Sequence, residues 1–114
     1  MIRGDVYDAS LNPVIGSEQA GVRPVVIVSR DSLNAHRPVV VVVPFTSRDR
    51  RGLLHPGWVP VRGTDAGLGH DSLALCEQVR GVDKSRLRRY RGHVSEWAMR
   101  DIDEGLQIVL GLDS

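Results

Sequence analysis

Two short runs of β-branched residues constrain this chain more than anything else in it. Pro24 to Ser29 reads Pro-Val-Val-Ile-Val-Ser, and Pro38 to Pro44 encloses five consecutive valines. Branching at Cβ suits extended backbone, and a continuous apolar run of this length fits a strand covered on both faces. The prolines at 38 and 44 are expected to bound the second strand, because proline donates no ladder hydrogen bond. Weaker strand patterns occupy residues 3–9, 58–61, 72–76, 78–82 and 88–93, with Glu77 as a bend between two of them. Asn12-Pro13 and the segment 65–69 read as turns, residues 14–22 and 46–56 as loops, and 31–34 as a single helical turn or loop.

One convincing helix follows, over residues 95–110. Ser95 is suited to cap it, and Ala98, Met99, Ile102, Leu106, Val109 and Leu110 form an apolar stripe at helical spacing. Trp97 is assigned to the core on this helix. Gly111 ends it, and Gly105 within it costs about 1 kcal/mol relative to alanine. Many short strands and one terminal helix make a mainly β fold, a small curled barrel. With 114 residues, one domain spanning 1–114 is expected.

The single cysteine, Cys76, excludes an intrachain disulfide and a cysteine-rich zinc site. The longest apolar run falls far short of the roughly 20 residues that span a bilayer. No apolar leader follows Met1, so no membrane association and a cytoplasmic location are expected. The net charge of +1 hides an asymmetry: residues 95–114 hold one base and five acids, a net −4, leaving +5 on residues 1–94. Fourteen of the fifteen bases are arginine, whose planar fork matches phosphate. Arg48 to Arg51 and Arg86 to Arg91 are local clusters of the kind that attract a polyanion.

The segment Arg3-Gly-Asp-Val-Tyr7, then Asn12-Pro13, then Gly16-Ser-Glu-Gln-Ala-Gly21 followed by Arg23-Pro24, resembles the opening of the MazF/PemK toxin family. The resemblance continues through Pro44-Phe45-Thr46-Ser47, Leu75 to Arg80, Asp83 to Leu87 and the final helix. It implies an SH3-like β-barrel, a homodimer and a cognate MazE-like antitoxin. It also implies sequence-specific cleavage of single-stranded mRNA without a metal or other cofactor, leaving a 2′,3′-cyclic phosphate and a 5′-hydroxyl. The competing reading is a non-enzymatic toxin or RNA-binding module that acts on a protein target such as gyrase.

Cleaving RNA with its own 2′-hydroxyl needs a base, a stabiliser of charge on phosphorus and an acid for the leaving oxygen. Arg23, at the start of a buried strand after a flexible loop, is the candidate stabiliser, since preorganised positive charge is often the largest catalytic term. Thr46 can donate a hydroxyl to a phosphate oxygen. The family's catalytic Arg and Thr/Ser positions fall on these two residues. Glu18 is the third catalytic candidate, as a proton acceptor, and Glu77 is an alternative base. Ser17, Gln19, Ser47, Arg48, Glu77, Gln78 and Arg80 are assigned to RNA binding, with Gln78 suited to read a base edge. Trp58 is read either as a stacking platform or as buried. His36, His55, His70 and His93 lie outside the motif segments and are read as surface residues.

Overall fold

The structure, a computed structural model, describes residues 1–47 and 55–113. Its strands are β1 (Asp5–Ser10), β2 (Val22–Ile27), β3 (Val39–Ser47), β4 (Trp58–Val61), β5 (Ser72–Leu75), β6 (Arg80–Asp83) and β7 (Leu87–His93). A six-residue helix α1 (Asp31–His36) links β2 to β3, and helix α2 (Glu96–Val109) closes the chain. The strands pair antiparallel in the order β4-β5-β3-β2-β1-β7, with β6 also on β3. Among the described residues β4 and β7 do not pair with each other, so the barrel-like sheet is not closed by hydrogen bonds.

Strand β3 is the spine. Residues 39–42 pair with β6, 42–44 with β2 and 45–47 with β5. Three of its valines divide between two apolar clusters. Val43 and Phe45 pack under α2 with Val6, Val26, Val59 and Ile102. Val40 and Val42 pack on the other side with Leu11, Val25, Ile27 and Val82. Coverage of both faces is complete from Val42 to Phe45, whereas Val39 is 45% exposed and Val41 half-buried. Each such buried side chain contributes about 1.5–3 kcal/mol relative to exposure.

Pro44 does not end this strand. It lies inside β3 opposite Val25, and β3 passes from β2 to β5 immediately after it. Cys76 leaves the strand pattern and opens a 3₁₀ turn, Cys76–Gln78, between β5 and β6. Both strands run antiparallel to β3, so the turn is an insertion that pushes Glu77 and Gln78 out of the ladder.

Helix α2 begins as the sequence indicates. The Ser95 hydroxyl accepts the Ala98 N–H at 3.1 Å. Ala98, Ile102 and Gly105 are buried, with Met99, Leu106 and Val109 packed beside them. Arg3 pairs with Asp103 of the helix and donates from Nε to the Val28 carbonyl at 2.8 Å, joining the N-terminal segment to α2. Two expectations fail. Trp97 is 64% exposed, one step (about 100°) off the packed face, with the Arg100 guanidinium 5.3 Å from its ring centre. Leu110, just past the helix, is 55% exposed.

Gly105 is explained by close approach. A Cβ there would lie 2.8 Å from the Cys76 sulfur and 2.9 Å from a Val59 methyl. Gly105→Val is expected to lower unfolding free energy by about 1–3 kcal/mol, measured by urea denaturation, because overpacking outweighs any gain in helix propensity.

Candidate functional site

The loop between β1 and β2 forms the site's upper wall. Its base is closed by the Leu11 N–H on the Gly21 carbonyl (2.9 Å) and the Gly21 N–H on Asn12 Oδ1 (3.1 Å). Gly16 and Gly21 turn the chain with φ of +61° and +76°, a region that favours glycine. Within the loop Glu18 Oε1 accepts the Ile15 N–H at 2.7 Å. The loop then rests on the 3₁₀ turn. The Gln19 N–H donates to Gln78 Oε1 (2.7 Å), and Gln78 Nε2 donates to the Ser17 carbonyl (3.4 Å). Gln19 Nε2 reaches the Phe45 carbonyl at 3.3 Å, tying the loop to β3. The Gln78 amide is thus engaged with the loop backbone.

Beneath the loop lies a cleft of about 310 Å³ lined by Leu11, Glu18, Gln19, Pro44, Gln78 and Arg80 among others. Arg80 donates to the Leu11 carbonyl at 3.1 Å. A shallower hollow of about 480 Å³ shares Glu18, Glu77 and Gln78 and adds Ser17, Trp58 and Leu75. Trp58 is half-buried here. Its indole N–H donates to Glu77, and its ring centre is 5.5 Å from that of His55.

A third hollow, of about 120 Å³, brings together Arg23, Thr46, Ser47, His70 and Ser72. The strand registers explain the convergence. Val25 faces Pro44 at the last pair between β2 and β3, and Arg23 and Thr46 each lie two residues past that pair, lining the same hollow where the strands part. Ser47 faces Ser72, which places His70 just beyond the end of β5. Arg23 is exposed; its Nε donates to the Ala20 carbonyl at 3.1 Å, and its two terminal nitrogens have no partner among the described residues. Pro44 and Thr46 are two apart on β3 and so share a face, one lining the cleft and the other this hollow.

The candidates therefore fall into two adjoining groups. Arg23, Thr46 and Ser47 share the small hollow, while Ser17, Glu18, Gln19, Glu77, Gln78 and Arg80 surround the loop and the 3₁₀ turn. Arg48, with the cluster to Arg51, lies outside the described residues. In the second basic cluster Arg86 donates to the Ser10 and Asn12 carbonyls and Arg91 pairs with Asp8 at 3.0 Å. Those two hold β7 and the loop base in place, and Arg88 and Arg89 remain exposed. His70 is the residue the sequence reading missed. Its surface position is as expected, but the signal for its place is the β3–β5 register.

Burial pushes the Cys76 thiol up to about 12, with Glu77 and Asp103 adding to the shift. It stays protonated at neutral pH and is no nucleophile. Among the described residues no group of three or more His, Cys, Asp or Glu side chains could hold a metal ion, and no helix is long and apolar enough to cross a membrane.

An open antiparallel barrel that brings an arginine of β2 and hydroxyl groups of β3 to one hollow, near a glycine-turned loop, defines a small β-barrel protein with a donor-rich surface site. The chain belongs to the PemK-like, MazF-like toxins of type II toxin–antitoxin systems, whose family pattern matches residues 2–110. An endoribonuclease MazF of Staphylococcus saprophyticus is 41% identical over 112 residues, covering 98% of this chain and 92% of that protein. An endoribonuclease from a mycobacterial species, solved in complex with its cognate antitoxin, superposes with a TM-score of 0.81 at 29% identity, covering 100% of this chain and 98% of that one. MazF of Deinococcus radiodurans, with a TM-score of 0.82 at 24% identity over 97% of this chain and 96% of its own, matches in fold.

Proposed function

We propose that this toxin-family endoribonuclease cleaves single-stranded mRNA at defined sequences without a metal, leaving a 2′,3′-cyclic phosphate and a 5′-hydroxyl. The observation that carries the reading is the meeting of Arg23, Thr46 and Ser47 in one solvent-open hollow. The 2′-oxygen attacks phosphorus and the bond to the 5′-oxygen breaks. Negative charge grows on the non-bridging oxygens. The Arg23 guanidinium and the Thr46 hydroxyl meet that charge, and a site already organised for it needs no rearrangement during reaction. Because the nucleophile belongs to the substrate, the reaction does not need a metal-activated water.

The proton of the 2′-hydroxyl needs an acceptor. Glu18 takes that role in this reading: one of its oxygens is held by the Ile15 N–H, leaving the other for the substrate. Ser17, Gln19, Ser47, Arg48, Glu77, Gln78 and Arg80 bind the RNA strand around the scissile phosphate. The unit is residues 1–114 as one domain, working as a homodimer in the cytoplasm. A MazE-like antitoxin is its inhibitor, and the +5 charge on residues 1–94 favours an acidic segment crossing the loop.

The test is incubation of purified protein with a long single-stranded RNA in EDTA, followed by mapping of the new 5′ ends. Cleavage at a recurring sequence with 5′-hydroxyl ends is expected. Intact RNA from a folded protein, or cleavage abolished by EDTA, would overturn it.

A further inference from the structure

We propose that His70 is a catalytic residue of this site, the general acid that protonates the departing 5′-oxygen. The proposal rests on the nuclease reading above and adds the proton donor that reading lacks. In an in-line displacement the entering and leaving oxygens lie on opposite sides of phosphorus, so base and acid must come from different places. Two segments beside β3 supply them. Glu18 lines the cleft on the Pro44 side of Thr46, and His70 lines the hollow beyond it with Arg23 and Ser47. A phosphate held by Arg23 and Thr46 sits between a carboxylate and an imidazole.

The chemistry of the two groups sets the direction of transfer. A carboxylate oxygen accepts a proton, whereas a histidine ring can carry a proton on nitrogen and give it up. Among the described residues in this hollow no other side chain has that property. The backbone at His70 packs closely on its surroundings. Its carbonyl and that of Leu68 crowd Gly63, where a Cβ would lie 2.8 Å from each. The charged groups around it are Arg23 across the hollow and Asp71 beside it, whose carboxylate accepts the Gly63 N–H at 3.1 Å. The His70 ring has no hydrogen-bond partner among the described residues and is exposed, as a group meant for a substrate atom requires.

The proton balance is complete. The 2′-oxygen gives its proton to Glu18 as the new P–O bond forms; the P–O5′ bond breaks, and the electron pair left on the 5′-oxygen takes the His70 proton. The test compares RNA of natural linkage with RNA whose scissile 5′-oxygen is replaced by sulfur, because a thiolate leaves without a proton. His70→Ala and His70→Gln, each checked for an unchanged melting curve, are expected to cleave natural RNA about 100-fold more slowly but the 5′-thio substrate within about threefold of the unsubstituted protein. Equal losses on both substrates, or no loss on natural RNA, would overturn the role of His70. Failure of the unsubstituted protein to cut either RNA would instead overturn the nuclease reading beneath it.

Discussion

Arg23→Ala is expected to reduce RNA cleavage about 10²–10³-fold while leaving the fold intact, the loss typical when one preorganised donor is removed from a developing oxyanion. The geometry separates the two effects. Arg23 is exposed, and its one hydrogen bond to the described residues, to the Ala20 carbonyl, joins it to its own loop. Removing the guanidinium therefore strips charge from the hollow without opening the core. Single-turnover cleavage and a thermal melt on the same preparation check this. A mutant that cuts as fast as the parent would remove Arg23 from the mechanism. Arg23→Lys is expected to recover part of the charge and little of the rate, since lysine lacks the planar fork.

Phe45→Ala is expected to act in the opposite way, costing about 3–5 kcal/mol of stability, measured by urea or thermal unfolding. Phe45 is 1% exposed and packs under α2, while its backbone pairs with Ala74 and its carbonyl takes the Gln19 side chain. A cavity there removes a large share of the 5–15 kcal/mol that holds a typical domain together. Activity falls because Thr46, the next residue, loses its mounting. Cleavage should return in part at low temperature, which the Arg23→Ala defect should not do.

Much of the fold was legible because local pattern and tertiary burial agree. The valine runs, the Ser95 cap and the Gly111 stop each carry their reason within a few residues. What was hidden depends on partners remote in sequence. Pro44 reads as a strand end, yet β3 continues because it exchanges β2 for β5 at that point. Trp97 reads as core because it is large and apolar, but the packed face belongs to Ala98, Ile102 and Gly105, and Trp97 shares its own face with the exposed Arg100, Asp101 and Glu104. Gly105 reads as a defect until Cys76 and Val59 are seen against it.

The candidate site divides in the same way. Arg23, Thr46 and the Gly16 to Gly21 loop are found by motif. The engagement of Gln78 with that loop, and the arrival of His70 beside Thr46, follow from strand register and from the 3₁₀ insertion. A sequence shows the offset between β5 and β6 only as an ambiguous bend at Glu77.

That insertion gives the enzyme a latch. One glutamine amide fastens the loop between β1 and β2, its oxygen to the Gln19 N–H and its nitrogen to the Ser17 carbonyl. Breaking them costs about 0.5–1.5 kcal/mol per bond, so the loop's position is set by the 3₁₀ turn at a modest energetic hold.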